Sequence, residues 1–503
     1  MNMTLSELMP LAPVLIVALT TLLVMLVVSI KRNHTTAATT AVVGLNIALL
    51  VAVLQFVGMT VEVQNPQLLS LLSVLGSQPA FVSPLFVIDA YALFYMILIL
   101  VGSLACCTLA HAYIDGYRNN REELYLMLLM AVIGAMLMVS SQNLTSFFLS
   151  LELLSVPVYG LLAYTHERNK SLEAGLKYLV LSATASAAML MGMAFLYAFS
   201  GSMQFQVIGM AVVEGMGNPL MLLGMALVVF AVAFKLSLFP FHSWTADVYQ
   251  GAPAPIATFI ATVSKIAMLA LVIRFVFLSG TLAMDSMHTI LTVIAVLSIV
   301  IGNLLAVRQV NLKRLLAFSS IAHLGYILIA VLCLGVASLP TVGVYLITYL
   351  LTTIGAMGVV ALMSSPYHED EAESLADYRG LFWRRPVLTA VLTVMLLSLA
   401  GIPLTAGFIA KFMVILAAVQ NMSWFLAAMV IVGSAIGLYY YLRVMVVLYM
   451  TPPDRPRIDA QGNWGMQVGG VMVLLATLLV LYFGIFPSAM IDWSIAAQVY
   501  AGQ

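Results

Sequence analysis

Three lysines and one glutamate stand inside long apolar runs of this chain: Lys235 in "AFKLSLFPFHSW", Lys265 in "TVSKIAML", Lys411 in "GFIAKFMV" and Glu152 in "LSLELLSV". An ionisable group at the centre of hydrocarbon costs at least a few kcal/mol, so it faces protein or water and marks an ion or proton pathway. The residue type narrows the chemistry further. Arginine supplies 13 of the 20 basic residues, yet all three central ones are lysines. Arginine stays protonated in proteins, whereas a buried lysine can release its proton. A site that must accept and then release a proton therefore needs the lysine. Glu152 is the expected partner of Lys235, because an approaching carboxylate strengthens an amine's hold on its proton and a receding one weakens it. His323 ("SSIAHLGY") and His242, just past Pro240, are candidate relays near neutral pH; a histidine satisfied by a backbone carbonyl is the competing reading. Lys177, with Glu173 one turn before it, either joins this row or snorkels to an interface. Arg274, about five residues from a helix end, is expected to snorkel, and Arg443 is ambiguous.

The elements that must carry these residues follow from composition. Of 503 residues, 63% are hydrophobic and 8% charged, against about a quarter charged in soluble domains. Apolar segments recur at roughly 8–30, 36–59, 86–112, 124–141, 144–164, 174–199, 219–238, 254–279, 287–307, 315–337, 340–363, 386–418, 422–450 and 466–489, each of the length a membrane span requires. The expected fold is an all-α polytopic membrane protein of about 14 transmembrane helices. Two runs are too long for one straight span. The segment from 219 carries on through Pro240 to about 250, and 386–418 holds "LAGIPLTAGFIAKF" at its middle. Proline and glycine remove helix hydrogen bonds there, and broken helices in both halves of a chain point to a transport site. Lys235 precedes one break and Lys411 follows the other. Spans four to eight and nine to thirteen each hold five helices with the broken one fourth, and an odd number of spans inverts the second group. The expected organisation is an N-terminal three-helix segment (1–123), a first five-helix repeat (124–279), a second, inverted repeat (280–450) and a C-terminal helix (451–503).

Basic residues set the topology. The odd-numbered loops carry 14 of the 20, including Arg118, Arg308, Arg455 and Arg457, and the even loops none. Basic short loops stay cytoplasmic, so both termini are expected on the periplasmic side. The acidic stretch "YHEDEAESLADYRG" (367–380) then reads as a solvated cytoplasmic loop or a contact with a neighbouring subunit. A formal net charge of zero gives no sign of a nucleic-acid partner. Cys106, Cys107 and Cys333 read as small hydrophobes, with no spacing for a metal or cluster. "EGMGNP" lacks the third glycine and the strand of a dinucleotide fingerprint. No cofactor or metal is expected in this chain.

The stretch "AFKLSLFPFHSWTADVYQGAPAPIATFIATVSKIA" (233–267) resembles the core signature of the antiporter-like subunits of respiratory complex I (NADH-quinone oxidoreductase), shared with Mrp-type cation/proton antiporters. "NLKRLLAFSSIAHLGY", "GIPLTAGFIAKF" and "GSAIGLYYYLRV" fit the same family, and the resemblance covers essentially the whole chain. It implies that Glu152, Lys235, Lys265 and Lys411 match proton-translocating residues, with Lys177 matching a further family lysine. It also implies one proton channel in a membrane arm, with NADH, FMN, iron–sulfur clusters and quinone in other subunits. The implied partners are other membrane-arm subunits, especially the other antiporter-like and small membrane subunits, together with membrane lipid. The implied location is the bacterial inner membrane. The alternative is a Na⁺ or K⁺/proton antiporter subunit with no redox partner.

Overall fold

The computed structural model describes residues 8–61, 78–115, 120–215, 217–333, 338–364, 371–453, 465 and 467–500. Arg118, Arg455 and Arg457 of the topology count lie outside these residues, as do Met216 of the glycine-rich stretch and Glu369 and Asp370 of the acidic one.

The described chain is nearly all helix. The spans are α1 (Ala12–Ile30), α2 (His34–Thr60), α3 (Ala90–Ile114), α4 (Glu123–Ser140), α5 (Leu144–Leu162) and α6 (Asn169–Ser200). The seventh is interrupted, as α7a (Pro219–Lys235) and α7b (Ser243–Gly251). Then come α8 (Ala254–Ser279), α9 (Asp285–Val307), α10 (Leu312–Leu332) and α11 (Ser338–Met363). The twelfth is interrupted too, as α12a (Pro386–Ala400) and α12b (Ala406–Gln420), and is followed by α13 (Trp424–Tyr449) and α14 (Val468–Ile485). Among the described residues, twelve helices are long and apolar enough to cross a membrane unaided; the two interrupted ones complete the predicted fourteen. A short hairpin, β1 (Ala80–Ser83) and β2 (Phe86–Ile88), precedes α3.

Local sequence explains where helices start. Asn33, Asn143 and Asn311 each accept a backbone N–H of the helix that follows, as does Asn218 ahead of Pro219, satisfying donors that have no intrahelical partner. α6 begins about five residues earlier than its apolar stretch, because Lys170, Glu173 and Lys177 lie in its first turns and are held by ion pairs.

Packing sorts the spans. The apolar windows of α10 and α11 are buried along their whole length and those of α3 and α8 nearly so, whereas most of the window in α1, α2, α6, α9, α13 and α14 is not. The central helices therefore carry Lys265 (α8) and His323 (α10). The two five-helix groups pack alike, with fourth against fifth and ninth against tenth, and α6 and α11 each touching both pieces of the broken helix in its own group.

Candidate functional site: a buried row of lysines

Lys235 is the last residue of α7a. The chain then leaves the helix, with Ser237 at φ 60°, and resumes as α7b at Ser243. Ending the helix there aims the buried side chain into the bundle. Its Nζ donates to Ser155 Oγ on α5 and to Ser182 Oγ on α6, both at 2.7 Å, and lies 5.7 Å from the centre of the Tyr178 ring. Glu152, one turn before Ser155 on α5, accepts a hydrogen bond from Ser186 Oγ at 2.5 Å, one turn after Ser182 on α6. Glu152 and Lys235 make no ion pair among the described residues; neighbouring serines on α5 and α6 lie between them, and the Glu152 charge acts on Lys235 across that gap. The spacing signal was there, since residues three or four apart share a helix face.

Lys265 follows immediately on a π-helical turn, Ile260–Ser264, within α8. Such a turn widens the helix by one residue, and it is a frequent feature of functional sites. The amine donates to Ser320 Oγ on α10 at 2.8 Å and sits 5.4 Å from the centre of the Tyr249 ring on α7b. Periodicity gave no sign of the π turn.

Lys411, on α12b, reaches back across its own helix break. Its Nζ donates to the carbonyls of Leu399 and Ala400 at 2.9 and 3.0 Å, which end α12a and have no partner inside that helix. Gly401, at φ 84°, makes this approach possible, because a Cβ there would meet Lys411 Cδ at 2.8 Å. The Tyr326 ring centre is 5.3 Å from the amine.

His323 is buried on α10. Its Nδ1 pairs with Tyr345 Oη at 2.8 Å and its Nε2 with Tyr441 Oη at 3.2 Å, so hydroxyls rather than a backbone carbonyl satisfy both ring nitrogens. His323 and Lys411 line one cavity of about 10 Å³. His242 flanks the first break, its ring 5.5 Å from that of Phe239, and makes no hydrogen bond to any of the three lysines among the described residues. Lys177 differs from the three in its partners: its half-exposed amine pairs with Glu173 at 2.5 Å and with Asp247 at 2.9 Å.

Other buried cations are held differently. Arg274 does not snorkel, contrary to expectation. It is fully buried and grips Asp89 through two nitrogens at 2.9 and 2.7 Å, stacked over Tyr91. Asp89 also caps α3 and accepts Tyr500 N–H; an acidic residue directly before an apolar run was its only sequence signal. Arg443 donates to the carbonyls of Val307 and Gln309 at the end of α9. Lys313 is fully buried and pairs with Glu371 at 2.5 Å. Glu371 also bonds Tyr113 and Ala254 N–H and pairs with Arg168, while Glu373 takes Lys170 and Asn311. The described part of the acidic stretch is therefore not a solvated loop. Its carboxylates are buried because the basic residues at the ends of α6 and α10 face them. Burial alone would raise the Glu371 carboxyl, but the Lys313 and Arg168 charges hold it below the usual carboxylate range. Glu373 is likewise held low against its burial, by Lys170 and Asn311.

The distinction between the two sets is sharp. Arg274 and Lys313 each have a carboxylate within ion-pair distance, as a permanently buried charge requires. Lys235, Lys265 and Lys411 have hydroxyls, carbonyls and aromatic faces, and among the described residues no carboxylate within 4 Å. Cations held only by neutral groups are conditional charges. No cluster of metal ligands is found among the described residues, and the three cysteines are buried and free.

A polytopic bundle with two broken helices and a row of buried, carboxylate-free lysines defines an ion-translocating membrane protein. The family described as NADH:quinone oxidoreductase/Mrp antiporter, transmembrane, matches residues 141–437. A relative from Acinetobacter baumannii (strain AB0057), NADH-quinone oxidoreductase subunit N, is 61% identical over 502 residues, 99% of this chain and 98% of its own. A chain of respiratory complex I from Thermus thermophilus superposes with a TM-score of 0.78 at 30% identity, over 95% of this chain and 98% of that one. A chain of the Mrp complex from Dietzia sp. DQ12-45-1b shares the fold, with a TM-score of 0.80 at 21% identity, covering 98% and 97% of the two chains. The chain belongs to the NADH:quinone oxidoreductase/Mrp antiporter transmembrane family.

Proposed function

We propose that this chain is the proton-translocating, antiporter-like N subunit in the membrane arm of a bacterial NADH-quinone oxidoreductase. NADH oxidation and quinone reduction take place in other subunits, which hold FMN and the iron–sulfur clusters. The proton moves along the row of Glu152, Lys235, Lys265 and Lys411, with His323 beside it. The observation that carries this reading is the contrast in partners: three buried lysines held by neutral groups, whereas the other buried cations among the described residues, Arg274 and Lys313, meet carboxylates. A lysine in such a place exists as ammonium or amine depending on its surroundings, which is the property of a transfer site. Lys177 and His242 lie beside the row as lower-ranked members. The two five-helix groups, 124–279 and 280–450, act as inverted halves, and Lys265 donates across their boundary to Ser320. The basic loops place both termini on the periplasmic side.

The test is the Lys235→Ala variant in the assembled complex. Coupled proton pumping is abolished or strongly reduced, and Lys235→Arg does not restore it. A normal proton-to-electron ratio in assembled Lys235→Ala complex overturns the assignment.

A further inference from the structure

A cavity of about 60 Å³ lies behind the break in the seventh span. Its walls come from α5, α7a and α8 of the first five-helix group and from α9 and α10 of the second. Leu236 and Leu238, on either side of Ser237 in the break, line it, as do Leu144 and Met287 near the starts of α5 and α9. The gap exists because α7a packs along α6 and not along α9. At the break the chain does reach α9, where Phe239 N–H donates to Ser298 Oγ at 3.0 Å.

The lining decides what can occupy this space. Every lining residue except Thr281 has an apolar side chain, and the Thr281 hydroxyl is engaged by Ser279 Oγ at 3.0 Å. A water needs two to four polar partners, so a cavity of this kind rejects water and takes apolar guests. Its volume holds about four to six water-sized groups, and its α9 wall from Met287 to Ile294 is about 10 Å long. That is room for a stretch of hydrocarbon chain. Val229 and Val232 on α7a and Leu291 on α9 keep part of their surface exposed, whereas Leu328 and Val331 on α10 are buried. The cavity therefore opens outward between α7a and α9 and is closed by α10. On the outer faces of the same two helices Leu222, Leu223, Ile290 and Val293 are exposed. In a membrane span such faces lie against lipid tails, which are as apolar as leucine. Acyl chains are thus the solvent at the mouth.

We propose that this cavity binds one acyl chain of a membrane phospholipid, which enters between α7a and α9 and packs against Leu236 and Leu238 behind the break. The site is separate from the row of lysines. Lys235 does not line it, and its amine points instead to Ser155 and Ser182 on α5 and α6. Lipid supplies the packing that side chains leave out on this side of the break, and a hydrocarbon chain can shift there without breaking a hydrogen bond.

The test is a high-resolution density map of the assembled NADH-quinone oxidoreductase in nanodiscs of phosphatidylcholine with one dibrominated chain. One preparation carries the bromines at mid-chain and a second carries them near the terminal methyl. The expected result is bromine density inside the cavity, at different depths in the two preparations. In a Val229→Trp variant, which plugs the mouth and touches none of the lysines, that density is lost while the bromine signal of the surrounding lipid shell stays. A cavity without bromine in both native preparations, while the surrounding lipid shows it, overturns the proposal. So does a cavity filled by ordered water, by a quinone tail or by a side chain of a neighbouring subunit, and so does cavity density that persists in Val229→Trp. If that variant does not assemble, the two native preparations decide: density that does not move with the bromine position is not an acyl chain and overturns the assignment.

Discussion

The Lys235 ammonium owes its two hydrogen bonds to Ser155 and Ser182, each at 2.7 Å. A hydrogen bond to a charged group contributes about 1.5–3 kcal/mol, so replacing both serines by alanine weakens the protonated form by about 3–6 kcal/mol before any relaxation. Water entering the space of two hydroxyls recovers part of that. Even about 1.4 kcal/mol of net loss is a tenfold change in an equilibrium. Ser155→Ala is the cleaner single change, because its only other bond is to Leu151 O on its own helix, whereas Ser182 also bonds Tyr159 Oη at 2.8 Å. The assay is NADH-driven proton uptake by membrane vesicles as a function of pH, normalised to assembled complex. Weakening the ammonium form means that loading demands more protons in solution, so the alkaline limb of the profile moves to lower pH. The single variant shifts it and the double variant shifts it further, with the lysine itself untouched. Superimposable profiles for wild type and double variant would refute the idea that these hydroxyls hold the proton-bearing amine.

Three other outcomes follow from the contrast between paired and unpaired cations. Asp89→Ala leaves Arg274 buried and unpaired, a loss of about 3–5 kcal/mol; the thermal midpoint of the complex drops, while Asp89→Glu recovers part of it. Gly401→Ala places a methyl group 2.8 Å from Lys411 Cδ at a φ of 84°. The left-handed strain costs about 1–2 kcal/mol, and pumping falls more than stability as the amine is pushed off the carbonyls of α12a. Glu371 is held below the usual carboxylate range, so its contribution is complete above the unfolded value of about 4.3 and fades only as pH falls below it. Hydrogen-exchange protection of residues 371–385, taken relative to the pH-dependent intrinsic rate, is then constant from neutral pH down to about 5, and Glu371→Gln loosens the segment at every pH; loss of protection near neutrality in the native chain would contradict this.

The span pattern was legible because hydrocarbon is an unforgiving solvent. Runs of about 20 apolar residues, proline and glycine at two places and basic loops on one side report it directly. The ends of α4, α8 and α9 fall within about two residues of their apolar segments, and both breaks stand where Pro240 and Gly401/Pro403 remove hydrogen bonds. The three lysines were also visible, since an amine in such a run has few innocent explanations. Partners were another matter. Glu152 and Lys235 are 83 residues apart in sequence, and nothing in either run says that Ser155, Ser182 and Ser186 stand between them. Arg274 looked like an interfacial residue by its distance from a helix end, but Asp89, capping another helix, draws it fully inside. The acidic stretch read as solvated because a linear sequence does not show that Lys170, Arg168 and Lys313 converge on it. Sequence alone determined which groups must be accommodated in the membrane and where helices must end. Tertiary packing decided which charges are neutralised and which remain conditional, because that depends on carboxylates and hydroxyls brought within about 3 Å from distant helices.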